Sequence, residues 1–349
     1  MESKTQVDQK FFLYFCWILL VIALMGGCAT PKVEQKVEGP VVSPPRVEAR
    51  VFPNFVAVIA QKKDTLPSLA AKYLNDPSKD WFIAEFNDIE TLHPGQELII
   101  PLQPFGRGGL TPKGYQTVPV LSYHNFSFEK STNRMTVTQT AFEEQMKLLK
   151  DKGYRVITLD QLLDFLDFKS QIPKKSVVIT IDDSWRSAYD IAFPILKKYG
   201  YPATLFVYTD MLTGSKKTLS WELLQEMAKD GMDVQGHTKT HRNLTLNDKK
   251  KSFREYFKEI EEELSESARI IKTRLNKDIR YLSYPDSETN SLVIELVKKY
   301  DYRGAFTVKR GGNPFFIHHY RINRSMIYGD FDLKQFEKNL NIFSDEALR

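Results

Sequence analysis

Apolar and polar positions fall into a regular alternation over the larger part of the chain. The runs Val118–Tyr123, Arg155–Ile157, Ser176–Ile181, Ala203–Val207, Met232–Val234, Tyr281–Tyr284 and Arg303–Val308 are short and rich in β-branched and aromatic residues, and read as strands. Between them lie stretches of helical period. Phe142, Met146 and Leu149 share a face within residues 142–150, and further helices are expected over 159–168, 188–199 and 291–300. Ser220 caps a helix from Trp221 to Lys229, with Gly231 as its stop. A long helix starting at Asn247 or Asp248 carries the stripe Phe253, Phe257, Ile260, Leu264, Ala268, Ile271, Leu275; its Lys249–Lys251 start and its acidic Glu259–Glu263 face read as solvated surface. Strands alternating with helices predict a parallel sheet. Six or seven such units in about 220 residues predict an α/β fold, a distorted (β/α) barrel of about seven strands, with its chemistry at the carboxyl ends of the strands.

Residues 53–103 follow another pattern. Phe55–Ile59 reads as a strand, Asp64 to Tyr73 as a capped amphipathic helix, Trp81–Asn87 as a second helix, Pro94-Gly95-Gln96 as a turn and Glu97–Pro101 as a closing strand. The order βααβ in about fifty residues is a complete miniature domain. Its Asp64-Thr65-Leu66, Ala84-Glu85-Phe86-Asn87 and Pro94–Pro101 segments resemble the LysM module, and the resemblance runs its full length. It implies binding of N-acetylglucosamine-containing glycans through Lys62–Leu66 and Ile89–Leu92; the plainer alternative is a spacer or protein-docking unit. Gly- and Pro-containing residues 104–116 join it to the domain at 117–349.

The N-terminus changes where the protein is expected to work. Lys4 and Lys10 precede an apolar run from Phe11 to Met25, then Gly26-Gly27-Cys28, the marks of an export signal over residues 1–27. Small residues leading into cysteine resemble the bacterial lipoprotein lipobox, which implies lipidation of Cys28; an uncleaved membrane anchor is the alternative. Either way the body is exported and membrane-tethered, and Ala29 in place of aspartate favours the outer membrane in a Gram-negative cell. Residues 28–52, with Pro31, Pro40, Pro44 and Pro45, read as an extended tether. The net charge of +5 is mild, and no basic stripe with interleaved aromatics argues for nucleic acid. Cys16 and Cys28 are the two cysteines, so a disulfide framework in the body is excluded.

The candidate chemistry sits in two stretches. Thr180-Ile181-Asp182-Asp183 ends a buried strand with adjacent carboxylates, poor core material unless one binds a metal and the other handles a proton. His237-Thr238-Lys239-Thr240-His241 supplies two imidazoles that can converge, and with one carboxylate they make a His2Asp set for Zn²⁺, Co²⁺, Mn²⁺ or Ni²⁺. Together these stretches resemble the first two motifs of polysaccharide deacetylases with the NodB-type domain, carbohydrate esterase family 4. The segment Pro119-Val120-Leu121-Ser122-Tyr123-His124 is similar to the entry strand of the branch that includes exopolysaccharide poly-N-acetylglucosamine deacetylases. The resemblance covers about residues 115–330. It implies Asp183, His237 and His241 as ligands of a divalent metal, zinc first, and Asp182 as general base. The reaction expected is hydrolysis of N-acetyl groups on exopolysaccharide or peptidoglycan, releasing acetate and a free amine. A catalytically silent glycan-binding lipoprotein and an O-acetyl esterase are the alternatives.

Two departures stand out. The third motif reads Ser283-Tyr284-Pro285-Asp286-Ser287, without the family's arginine that orients the base. Arg321 or Arg280 is expected to take that role. No clear match supplies the general acid; His318 and His319 are candidates by composition alone, and a structural role suits each better. His124, Tyr284, Pro285 and Arg321 are the candidate substrate contacts.

Overall fold

The computed structural model describes residues 49–106, 108–246 and 250–346. The predicted export signal, Cys28, most of the tether, and Asn247 and Asp248 lie outside the described residues.

The small module is built on strands β1 (Ala49–Val51), β2 (Phe55–Ile59) and β3 (Glu97–Pro101), with helices α1 (Leu66–Leu74) and α2 (Asp80–Phe86) between the last two. Ala49–Val51, assigned to the tether by composition, pairs antiparallel with β2. Main-chain pairing makes no demand on side-chain polarity, so a composition argument cannot detect it. Thr65 and Ser68 form a reciprocal capping box at the start of α1. Asn87 donates to the carbonyls of Ile83 and Ile99 and accepts from Ile99 N–H, fastening α2 to β3. Val56, Val58, Leu69, Ile83, Leu98 and Ile100 form the core of this unit.

The large domain is a curled parallel sheet. Its strands are β4 (Val118–Tyr123), β5 (Ser176–Asp182), β6 (Thr204–Val207), β7 (Asp233–Gly236), β8 (Tyr281–Ser283) and β9 (Gly304–Phe306), paired in that order. A seventh segment closes the ring. Ile322 pairs with Phe306 of β9, and three residues on, β10 (Ser325–Met326) pairs with Leu121 and Ser122 of β4. The helices α3 (Gln139–Asp151), α4 (Leu159–Leu166), α5 (Phe193–Tyr199), α6 (Trp221–Lys229), α7 (Phe253–Leu275) and α8 (Ser291–Lys299) alternate with the strands.

Two apolar layers hold this together. Val120, Val178, Phe206, Phe306 and Ile322 fill the inside of the ring, and Leu159, Leu162, Leu163 and Leu166 of α4 plug its amino-terminal end. Leu121, Ile179, Ile181, Leu205 and Val234 face outward against the helices. Strand residues i and i+2 share a face, so β5, buried along its whole length, feeds both layers in alternation.

Helix α7 differs from the expectation in two ways. It begins at Phe253, capped by Ser252 with Glu255 reaching back, and Phe253 is exposed while Tyr256 is buried. The capping box sets the helix start, and a start at 253 rotates Tyr256 rather than Phe253 toward the core, where its hydroxyl donates to the Leu244 carbonyl.

Candidate active site

The end of β5 carries the two carboxylates. A strand running straight on would send Asp182 and Asp183 to opposite faces. Asp183 instead adopts φ +70°, and this left-handed turn swings the second carboxylate toward the same mouth of the barrel. The indole N–H of Trp185 donates to Asp183 Oδ2 at 3.0 Å and fixes it there. The helix that follows opens with a π-type turn over Ala188–Ala192, a form that collects at functional sites.

Asp182 points into the barrel and is 2% exposed. Arg324, itself fully buried, grips it through two parallel bonds: Nη1 to Oδ1 and Nη2 to Oδ2, both 2.6 Å. Arg324 is held in turn by donating to the Thr307 carbonyl, to Thr180 Oγ1 and to Ser283 Oγ. Ser283 Oγ donates to Asp182 Oδ2 at 3.0 Å. Burial pushes the Asp182 carboxyl up, but the Arg324 guanidinium more than offsets this and holds it well below the usual carboxylate range. A carboxylate has about four lone-pair sites. The Arg324 and Ser283 bonds leave Oδ1 free to accept one more hydrogen bond, from the mouth of the barrel.

The contact with Asp182 expected of Arg321 or Arg280 is made instead by Arg324. Arg280 pairs with Asp160 at the opposite, amino-terminal end of the ring, and Arg321 is exposed, with no bond to Asp182. The signal that points to Arg324 is the alternation of Ile322 and Arg324 on a closing strand: two residues apart, they share the inward face. The missing third-motif arginine is replaced from another strand, and Ser283, standing in its place, completes the same network.

The histidines come from the loop after β7. His237 is buried, and its Nδ1 lies 2.7 Å from the Ser283 carbonyl, so Nδ1 carries the proton and Nε2 presents its lone pair. His237 Nε2 and His241 Nε2 lie 3.9 and 3.7 Å from Asp183 Oδ1, and ligand atoms of the three residues all fall within 4.8 Å of one another. Burial lowers the His237 imidazole below its ordinary value, keeping it in the neutral form that a metal requires. One carboxylate oxygen and two imidazole nitrogens, with a carbonyl behind one ring, fit a divalent ion of the zinc type with positions left open.

The loop is strained, with φ of +67° at Thr238 and +63° at His241. Glu263 of α7 holds it in place. This carboxylate is 7% exposed; Oε2 accepts from Lys239 N–H and Thr240 N–H, both 2.9 Å, and Oε1 accepts from Thr240 Oγ1 at 2.6 Å. The acidic face of α7 is thus not solvated surface at Glu263, because a helix face that packs on a loop of unpaired N–H groups needs an acceptor there. Glu263→Ala removes three hydrogen bonds to a charged acceptor from this half-buried loop and is expected to cost about 1–3 kcal/mol, read as a fall in thermal midpoint together with weaker divalent-ion affinity. An unchanged midpoint and affinity would show that the loop holds itself.

His124 follows β4 at the same end of the ring. Its Nδ1 is buried and has no hydrogen-bond partner among the described residues. Burial lowers its pKa, and the nearby Asp182 and Asp183 charges oppose that shift. The other candidates fall elsewhere. Tyr284 is buried and donates to the Tyr320 carbonyl, and Pro285 is buried beside it, so neither side chain is presented for substrate contact. His319 lies 3.6 Å from Asp167, beside the Arg303–Asp167 pair near α4, and His318 Nδ1 accepts from Tyr320 N–H. Asp286, at φ +55°, is exposed and accepts from Asn243 Nδ2 on the histidine loop.

Comparison with known proteins places this geometry. A 26% identical polysaccharide deacetylase structure from Bacillus cereus superposes with a TM-score of 0.55, covering 72% of this chain and 74% of that one. A Streptococcus pyogenes deacetylase in complex with acetate shares the fold at 24% identity, with a TM-score of 0.59 over 65% of this chain and 99% of its own. The poly-β-1,6-N-acetyl-D-glucosamine N-deacetylase of Staphylococcus aureus is 30% identical over 210 residues, 59% of this chain and 72% of that protein. The profile of the polysaccharide deacetylase family matches residues 169–305, a span that holds Asp182, Asp183, His237, His241 and Glu263 and stops short of Arg324. On that match and on the Staphylococcus aureus relative, this chain belongs to the polysaccharide deacetylase family, hydrolases of amide bonds.

Proposed function

We propose that this protein is an exported, lipid-anchored, metal-dependent N-deacetylase of N-acetylglucosamine-containing polysaccharide, with poly-β-1,6-N-acetylglucosamine as first candidate substrate and peptidoglycan as second. The observation that carries the reading is the convergence of Asp183, His237 and His241 beside a buried Asp182 gripped by Arg324. The name of the Staphylococcus aureus relative supports the exopolysaccharide. The small module, as a LysM-type unit, would hold glycan, and lipidated Cys28 would tether the enzyme at the cell envelope.

Asp183, His237 and His241 would hold the ion, which supplies Lewis-acid polarisation to the acetamide carbonyl and to the attacking water. Asp182 takes the proton as the water attacks, through the one open lone pair on Oδ1. A carboxylate held so low is a weak base that gives its proton up readily, which suits the second half of the reaction, when the departing nitrogen must be protonated. His124 is the second proton carrier. Of the six histidines, two are ligands, His318 and His319 lie near α4, and His93 lies in the small module. The amide C–N bond breaks, acetate leaves, and a neutral glycan becomes cationic.

Acetate release from the two glycans, before and after chelator treatment, tests this. Release that stops with chelator and returns with added Zn²⁺ or Co²⁺ is expected, and the faster substrate identifies the glycan. Release that survives complete metal removal would overturn the metal-dependent reading.

A further inference from the structure

The small module is clamped to the large domain. Asp80 Oδ2 pairs with Arg155 Nη2 at 2.7 Å, and Glu85 Oε1 accepts from Lys174 N–H at 2.7 Å. Phe105 wedges between Phe82 and Phe86, each ring centroid 4.9 Å away, and its N–H donates to Gln171 Oε1 at 2.7 Å. These contacts fix the two walls of a groove of about 440 Å³ at the junction. One wall presents the partly buried rings of Tyr73, Trp81 and Phe82; the other presents Ser170 and Gln171; Asn75 and Gln103 stand on the rim. Volume, rigidity and lining match a preformed small-ligand site.

The lining selects the ligand. A pyranose has an apolar C–H face that stacks on an aromatic ring, and an edge of hydroxyl and acetamide groups that needs amide and hydroxyl partners. Trp81 and Tyr73 offer the first; Asn75, Gln103 and Ser170 offer the second. Lys79 and Lys169 line the groove and, among the described residues, no carboxylate does; Lys169 is already paired with Asp167 at 2.8 Å, so the lining offers a cationic, deacetylated glycan no counter-charge, whereas a neutral glycan needs none.

The groove is neither the catalytic cleft nor the glycan surface that the LysM resemblance implies. Lys174 lies just before Ser176, the start of β5, and Asp182 ends that strand about 20 Å away. Asn75 follows the carboxyl end of α1, whereas Lys62–Leu66 surrounds its amino end.

We propose that this junction groove is a separate binding site for neutral, N-acetylated glycan, holding a stretch of polymer other than the one being cut. The choice of N-acetylated sugar rests on the proposed substrate; the groove itself does not depend on the metal site. The test is titration of the full chain, carrying Asp182→Asn/Arg324→Met to prevent turnover without stranding a buried charge, with N-acetylglucosamine tetramer. The Trp81 indole N–H resonance, assigned through Trp81→Phe, is followed. A saturating shift of that resonance is expected, weakened about tenfold or more in the rim double variant Asn75→Gly/Gln103→Ala, and weaker to a similar extent with glucosamine tetramer. Both rim residues are exposed, and glycine accepts the left-handed φ of +56° at which Asn75 ends α1, so that variant keeps the fold. A Trp81 resonance unmoved while resonances elsewhere on the chain respond would overturn the groove and leave the proposed substrate standing. Equal response to the rim double variant, or to the glucosamine tetramer, would overturn the assigned contacts or the preference for neutral glycan.

Discussion

Asp182→Asn is expected to lower kcat by about 10²–10⁴-fold with KM little changed, because it removes a proton acceptor rather than a substrate contact. The substitution also has a structural effect. Arg324 is fully buried and pairs with both oxygens of Asp182. Asparagine keeps one acceptor and turns an amide N–H₂ toward a guanidinium, leaving a buried cation without its counter-charge, a loss of the order of 3–5 kcal/mol when one member of such a pair is removed. A lower thermal midpoint should therefore accompany the lost turnover, and rates must be compared per folded molecule. Turnover close to wild type in folded Asp182→Asn would remove Asp182 from the chemistry.

Arg324→Met is expected to lower stability by a similar amount, about 3–5 kcal/mol, by leaving the Asp182 carboxylate buried without its guanidinium partner. Its pH signature is distinctive. In the wild type the Asp182 pKa is depressed below its ordinary 3.8, so the pair's contribution is full above that value and fades as pH falls through the folded pKa. In Arg324→Met the burial effect loses its main opposition and the carboxyl pKa rises. The sign then reverses: the variant is at its best below the unfolded value and loses stability as pH rises through the new folded pKa. Activity follows the same group, since a protonated Asp182 takes no proton, and the acid limb of the rate profile moves to higher pH. The double variant Asp182→Asn/Arg324→Met removes both charges and should recover much of the midpoint without recovering turnover, a coupling that a double-mutant cycle measures. Thermal midpoints of Arg324→Met that rise with pH, as in the wild type, would break the argument.

Much of the site was legible in the sequence because its parts are local. Adjacent carboxylates after a β-branched run and two histidines four apart advertise themselves, and strand–helix alternation predicts which end of the sheet they share. The structure brings Asp183, His237 and His241 together as that reading expects, with His124 at the same end. Tyr284 and Pro285 show where such reading stops. They adjoin the right strand, yet their side chains turn into the core, and nothing in their spacing tells inward from outward at a turn with φ of +55° and +65° at Asp286 and Ser287.

The sequence by itself determined the α/β alternation, the small βααβ unit's elements and the two halves of the carboxylate–imidazole set, because each of these is written in a short local segment. Only the tertiary structure decided what holds that set in place. Arg324 meets Asp182 across 142 residues, and Glu263 meets the histidine loop across 23. The first contact exists because the chain closes a ring between β9 and β4; the second exists because α7 packs over the loop that follows β7. Which buried charge finds which partner depends on that closure and packing, and hydrophobic periodicity carries no record of either.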